Sequence, residues 1–376
     1  MDQLLKYRDE IDRIDTQLVE LFEERMKVSE AVARYKIETG MQVLDPEREM
    51  QKIRSVMDKA STPFNKMGVK ELITQIMSIS RKRQYQLLTD QGIGNEDGFE
   101  VVPALSLTGS RVVFQGVEGS YSQAAMQAYF GSDITSCHVK TWHDAMEEVK
   151  EGRADYAVLP IENSTAGIVA DIYDLLMEYD LAIAGEQVIR VEHVLLGLPG
   201  TSLKDIRTVV SHPQGLAQCR EFLEAHPEWE LEREANTAGA AKKVSEAGDR
   251  HVAAIASRQA GLLYGLDVLC TGICPNAANA TRFIIVSGRR VHTPTAERVS
   301  ICFELAHTTG SLYNMLSHII YNGLNMTRIE SRPIPGRTWE YRFFVDFEGN
   351  LKDSAVINAL RGIRQEANMI RILGNY

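Results

Sequence analysis

Leu4, Tyr7, Ile11, Ile14, Leu18, Leu21, Val28, Val32 and Tyr35 recur at three- and four-residue steps, and no Gly or Pro interrupts the chain before Thr39. The spacing predicts one helix through about residue 36 with an apolar seam of the coiled-coil period. Arg25 stands where the next apolar residue belongs. A guanidinium in a packed seam is costly unless something pairs with it, and a bound anion would supply the partner.

Two further helices follow. One opens at Asp45-Pro46-Glu47, an N-cap acid followed by Pro in the first turn, and runs to about Ala60 before Ser61-Thr62-Pro63. The other is expected from about Val69 to Leu88, striped by Val69, Leu72, Ile73, Ile76 and Met77. Three such helices bury little apolar surface among themselves, and the first is too long to fold back on itself. A helix-exchanging homodimer, or a higher oligomer, resolves both difficulties.

Residues 1–90 thus read as all-helical, and 91–110, rich in Gly, Asp and Pro, as a linker. From 111 to 290 short apolar runs alternate with amphipathic helices. The candidate strands are Val112–Gln115, Tyr156–Ile161, Leu181–Gly185, Val194–Leu198, Thr208–Ser211, Val252–Ala256 and Phe283–Val286. This is an α/β pattern with a largely parallel sheet, long enough for two lobes. From 297 to 376 the order is strand, helix, strand, strand, helix, strand, the ferredoxin-like α+β arrangement.

The net charge of −10 on 376 residues, with no basic tract, argues against nucleic acid, so any anionic ligand must be held by local clusters of cations or amides. No apolar run approaches membrane-spanning length, and the acidic, amphipathic start has no signal-peptide core. Five cysteines without a CxxC point to reduced thiols and the cytoplasm. The nine histidines show no metal spacing, and the glycine loop at Gly116–Ser122 is neither a Walker loop nor GxGxxG; neither metal nor cofactor is expected.

On a helix Arg25 and Lys36 lie ~20° apart in projection and can share one pocket, whereas Arg8 lies ~100° from Arg25 and would reach a partner's pocket in a dimer. On the third helix Ser80 and Gln84 continue the apolar stripe, so polar groups point inward there too. An Arg in a seam can also be a surface charge on a wet aliphatic stem. Four inward polar groups together favour a pocket.

This set resembles the all-helical chorismate mutases across the whole first region, through Arg8, the Glu-Arg pair ending in Arg25, Lys36, the Asp-x-x-Arg-Glu of Asp45, Arg48 and Glu49, and the Ser-x-x-x-Gln of Ser80 and Gln84. The rearrangement of chorismate to prephenate needs no proton or nucleophile. It needs a grip on two carboxylates and stabilisation of charge growing on the ether oxygen. The resemblance implies that Arg25, Arg48 and the partner copy's Arg8 hold the carboxylates. It implies that Lys36 and Gln84 donate to the ether oxygen, that Glu49 takes the ring hydroxyl, and that Asp45 and Ser80 complete the shell.

In the α/β region three strands run into loops suited to cradling carboxylates at helix starts: Gly116 to Ser122, Glu162 to Gly167, and His212 to Gly215. Any one loop is explained by ordinary capping. Three suggest convergence on one cleft, where open α/β sheets bind ligands. With Thr281-Arg282-Phe283, these loops resemble prephenate dehydratase, whose fold is similar to a two-lobed periplasmic binding protein with its site in the hinge. Prephenate loses carbon dioxide and hydroxide to become phenylpyruvate. The resemblance makes Thr281 the donor to the departing hydroxyl, a poor acid unless neighbours polarise it. Ser120, Asn163, Ser164, Thr165, Ser211, Gln214, Arg282 and Phe283 are the candidate substrate contacts, with Arg282 as a possible carboxylate partner. His212 and His143 are rival acids.

The final region resembles an ACT domain. Glu330, Ser331, Arg332 and Pro333 match the segment that binds phenylalanine in that family, while the companion stretch appears as Gly310-Ser311-Leu312-Tyr313, with Gly310 and Leu312 retained. The chain as a whole resembles the fused chorismate mutase–prephenate dehydratases (P-proteins), and feedback inhibition by phenylalanine is implied. Two other readings stay open: a dehydratase whose helical region only dimerises, and a two-lobed ligand sensor, which would require a helix-turn-helix with a basic face.

Overall fold

The computed structural model describes residues 2–93, 98–105, 107–276 and 278–376. Contacts divide them into two units: the N-terminal helical region with Glu297–Ile372, and Gly98–Ala296 with Leu373–Tyr376. The linker positions 94–97 and 106 lie outside the described residues. Among the described residues no helix is long and apolar enough to cross a membrane.

In the first unit α1 (Asp2–Thr39) is a single unbroken helix. α2 (Pro46–Met57) starts as its cap predicts, with the Asp45 carboxylate accepting from the Arg48 amide at 3.0 Å. α3 (Pro63–Asp90) begins six residues earlier than the apolar stripe suggests, because Thr62 caps it through the Asn65 amide and Pro63 fills the first turn. Ser61-Thr62-Pro63 is therefore the start of one helix as much as the end of another. Most of the α1 seam is uncovered: Leu18 is 51 % and Leu21 62 % exposed.

The C-terminal region runs strand Arg298–Glu304, helix Ser311–Tyr321, strands Met326–Pro333 and Tyr341–Glu348, helix Ser354–Glu366 and strand Met369–Asn375, of which the part to Ile372 belongs to this unit. Met326–Pro333 pairs antiparallel with Tyr341–Glu348, which pairs antiparallel with Arg298–Glu304. Met326–Pro333 is the edge strand. Its two helices pack against α3. The α3 face that meets them is polar: Lys82, 3 % exposed, donates to the Ser317 hydroxyl at 2.8 Å, and Arg361 donates to the Tyr85 carbonyl at 3.1 Å.

The second unit is built on two runs of five paired strands, so the two-lobe expectation describes it. One run is ordered Ala182–Arg190, Ala280–Ser287, Tyr156–Asn163, Arg111–Gln115, Thr135–Val139; the other Asp267–Cys270, His193–Gly197, Val252–Ser257, Thr208–Ser211, Glu230–Arg233. Neither sheet is largely parallel. Along each run of five strands, two pairings are parallel and two antiparallel. The correction has a simple cause: long strands cross back beside their neighbours, and an apolar run reads the same in either direction. Besides the two-residue strand Gly167–Ile168, three strands escape the sequence pattern: Thr135–Val139, Glu230–Arg233 and Asp267–Cys270. Each of these three is an edge strand with charged or exposed residues where a buried strand has aliphatics.

The lobes touch at Gly119. Its φ is +83°, and a Cβ there would lie 3.1 Å from the Ala260 backbone. Glycine permits both the turn and the approach. The Ser257 hydroxyl donates to the Gly119 carbonyl at 3.1 Å, and the Tyr264 hydroxyl to the Glu118 carbonyl at 2.8 Å.

Candidate active sites

In the helical region α1, α2 and α3 enclose a cavity of about 290 Å³. Arg25, Lys36, Asp45, Arg48, Glu49, Ser80 and Gln84 all line it. The helical projection that groups Arg25 with Lys36 is thus realised. Arg8 is exposed and does not line it. It lies ~25 Å along the helix from Arg25 and cannot reach its own chain's cavity.

Arg25 donates to the Ser80 hydroxyl at 2.5 Å, and Ser80 in turn donates to the Ile76 carbonyl at 2.8 Å. Among the described residues no carboxylate pairs with Arg25. Burial pulls its guanidinium below the usual range, against the pull of Glu49. A cation held by a neutral hydroxyl retains its attraction for an incoming anion. Lys36 spends one N–H on the Val43 carbonyl at 2.7 Å and keeps two. The Gln84 amide meets the Ser29 hydroxyl at 3.1 Å, and its other end is buried without a partner. A serine hydroxyl donates as readily as it accepts, so either end of that amide can be turned to a ligand.

The sequence reading missed Lys52, Ser29 and Arg81 in this cavity. Arg81 is 8 % exposed. It sits in the Arg81-Lys82-Arg83 run, which looks like a solvated face. Its one-residue offset from Ser80 was the available signal.

The second site is a cleft of about 600 Å³ within the α/β unit. Ser120, Asn163, Gln214, Thr281 and Phe283 line it. The remaining candidates do not. Arg282 alternates to the opposite face of its strand from Thr281, where its Nε lies 3.1 Å from Glu186. Ser211 is fully buried and donates to the Ile255 carbonyl at 2.7 Å. Ser164 is engaged with the Ala278 carbonyl and the Ala280 amide, at 3.1 and 3.0 Å. Thr165 stands behind Asn163 rather than in the cleft wall. Of the rival acids, His212 lines the cleft, its pKa lowered by burial, and its Nδ1 accepts from the Gln214 amide at 3.2 Å. His143 lies elsewhere, against the Tyr179 hydroxyl at 2.9 Å.

No Lys or Arg is among the residues lining the cleft. Its donors are hydroxyls, amides and three helix starts: Ser120 caps Tyr121–Phe130, His212 caps Pro213–Gln218 and Asn236 caps Thr237–Ala247. Backbone N–H groups at helix starts favour anions. Trp142 Nε1 is buried here without a partner, a donor that no motif announces.

Thr281 sits at the end of a directed chain of hydrogen bonds. Cross-strand register sets Asn163 opposite Thr281. The amides of Thr165 and Ala166 donate to Asn163 Oδ1 at 3.1 and 2.9 Å, which fixes the side-chain amide. Its Nδ2 therefore donates to Thr281 Oγ1, at 2.9 Å. Thr165 Oγ1 donates to Asn163 Oδ1 at 2.6 Å and accepts from Gln218 Nε2 at 2.9 Å. Gln218 Oε1 then faces His193 Nε2 at 3.0 Å, which must carry the proton. His193 is 3 % exposed, and burial lowers its pKa, keeping the ring neutral. Asn163 Nδ2 also reaches Asn279 Oδ1 and the Ala280 carbonyl, at 2.9 and 3.1 Å, and because Thr281 Oγ1 accepts from Asn163, its own O–H is left for the cleft.

The fold and these two pockets define a two-site enzyme of small anionic substrates. The chorismate mutase type II family matches residues 7–85, and the prephenate dehydratase family matches 112–291. The bifunctional chorismate mutase/prephenate dehydratase of Enterobacter agglomerans is 32% identical over 99% of this chain and 95% of its own length. The solved prephenate dehydratase of Arthrobacter aurescens, in complex with L-Phe, is 32% identical with a TM-score of 0.65, covering 71% of this chain and 89% of that one. A second structure, GqqA, described as a novel type of quorum-quenching acylase, is 36% identical with a TM-score of 0.64, covering 70% and 96%. The chain belongs to the bifunctional chorismate mutase/prephenate dehydratase family and carries both enzyme domains.

Proposed function

We propose that the Arg25 pocket converts chorismate to prephenate and that the Thr281 cleft converts prephenate to phenylpyruvate. In the first, Arg25 and Arg48 grip carboxylates, Lys36 and Gln84 donate to the ether oxygen as it gains charge, and Glu49 accepts from the ring hydroxyl. Asp45 holds the start of α2, and with it Arg48, in place. Preorganised donors at the atom where charge develops lower the barrier without reorganisation. The uncovered α1 seam and the distance of Arg8 from its own pocket support a homodimer in which Arg8 completes the partner copy's site.

In the second reaction the carboxylate's C–C bond breaks, its electron pair enters the ring, and the ring hydroxyl leaves. Thr281 O–H donates to that hydroxyl. Aligned hydrogen bonds polarise one another, so the chain from His193 through Asn163 makes Thr281 a better donor than a free hydroxyl. The helix starts and Trp142 Nε1 take the carboxylates.

The last region, with its βαββαβ order, serves as an ACT domain that binds phenylalanine through Gly310, Leu312 and Glu330 to Pro333. Gly310 starts the Ser311–Tyr321 helix with a φ of 82°, and Glu330–Pro333 end the edge strand. The five free thiols fit a cytoplasmic setting.

The directed bond from Asn163 to Thr281 supports the dehydratase assignment most strongly. Thr281→Ala supplied with chorismate should accumulate prephenate, where the parent chain yields phenylpyruvate. Phenylpyruvate at the parent rate would overturn the assignment.

A further inference from the structure

Arg81 lies between the mutase pocket and the C-terminal region and holds a carboxylate of each. Nη1 donates to both Glu49 oxygens, at 2.5 and 2.6 Å. On its other edge Nε and Nη2 donate to Glu366 Oε1, at 3.1 and 2.9 Å. Glu366 is the last residue of the Ser354–Glu366 helix, and His318 Nε2, fully buried on the Ser311–Tyr321 helix, lies 3.1 Å from the same oxygen. The planar guanidinium, with donors on two edges, suits two carboxylates at once, as an ammonium would not.

The arrangement answers an electrostatic difficulty. A bare Glu49 carboxylate in a pocket built for a dianion would repel the ligand it is meant to orient. Arg81 cancels that charge while leaving Glu49 lone pairs for a hydroxyl. Arg81 in turn is nearly buried and needs a second carboxylate to stay put. Burial pulls its pKa down, but Glu366 and Glu49 more than reverse this, and the group stays above its usual range. For Glu366, burial raises the pKa, and His318 and Arg81 bring it below the ordinary value.

We propose that Arg81 and Glu366 are positioning residues of the mutase reaction: Glu366, from the C-terminal region, holds Arg81 so that Arg81 holds and neutralises Glu49. The inference rests on the reading of Glu49 as the acceptor of the ring hydroxyl. It makes the C-terminal helix part of the mutase site's support, in addition to any role in effector binding.

The test is a double-mutant cycle in the full-length chain, with both activities assayed. Glu366→Gln should lower mutase kcat/KM about 10- to 100-fold, the scale of a misplaced orienting group, with dehydratase turnover unchanged. Glu366→Asp should recover part of the loss. In a Glu49→Gln background Glu366→Gln should cost almost nothing further, because its effect runs through Glu49. Losses that multiply, or a Glu366→Gln chain with parental mutase activity, would overturn the inference. Parental mutase activity in Glu49→Gln alone would instead overturn the reading of Glu49 and the inference with it. Should Glu366→Gln fail to fold, Arg81→Lys runs the same cycle, keeping the charge but not the fork. Additivity of Arg81→Lys with Glu49→Gln would mean that Arg81 meets the substrate directly, which also overturns the proposal.

Discussion

Asn163 and Thr281 face each other across two antiparallel strands, and the amide of the first donates to the hydroxyl oxygen of the second at 2.9 Å. That direction leaves the Thr281 proton for the cleft. Thr281→Ala should therefore lower dehydratase kcat about 10²- to 10⁴-fold, while Thr281→Ser should keep most of the activity. Asn163→Ala should cost about 10- to 100-fold through loss of alignment. Steady-state rates with prephenate decide it: a Thr281→Ser chain as poor as Thr281→Ala would show that the hydroxyl is not what matters.

The position of Arg8 gives a second expectation. Arg8→Ala and Arg25→Ala chains should each lack mutase activity as homodimers. Unfolded together and refolded at equal ratio, they should form mixed dimers in which one pocket is whole, restoring about one quarter of parental activity. No recovery, with mixed dimers demonstrated by mass, would place Arg8 outside the partner's site.

Lys82 makes stability depend on pH. Burial lowers its pKa from 10.5 to about 8. Between those values the unfolded chain binds a proton that the folded chain does not, so stability rises with pH across the window, and the full cost of the buried charge is felt below about 8. Lys82→Met should be the more stable chain at pH 7, by at most about 3 kcal/mol, and the advantage should shrink toward pH 10.5. Thermal unfolding of both chains across that range checks it; a constant gap would mean that the ammonium is well solvated.

The residues of the helical pocket were largely legible, because a helix turns residue spacing into direction: a 100° step sets Arg25 beside Lys36 on α1, Ser80 and Gln84 continue the stripe of α3, and the family resemblance joined the two sets. The cleft was harder to read. Its loops lie at strand ends, where spacing says little about facing. Ser211 and Ser164 sit in the right segments but turn to backbone partners, and the strand pleat sends Arg282 to the wrong side. Trp142 and His193 belong to no motif and join only through the fold. Arg81 was hidden by its neighbours, since a run of three basic residues resembles a wet face until a second helix packs on it. The start of α3 was misplaced because Thr62-Pro63 reads equally as a stop and as a cap.

On this reading one chain carries two separate chemistries, one dependent on Arg25 and the other on Thr281. Mixing purified Arg25→Ala and Thr281→Ala chains and supplying chorismate tests it most directly. Neither variant should release phenylpyruvate alone, and the mixture should, because prephenate made by the second is consumed by the first. A mixture that stays inactive although each chain retains its one activity, or an Arg25→Ala chain that converts chorismate at the parental rate, would contradict the account.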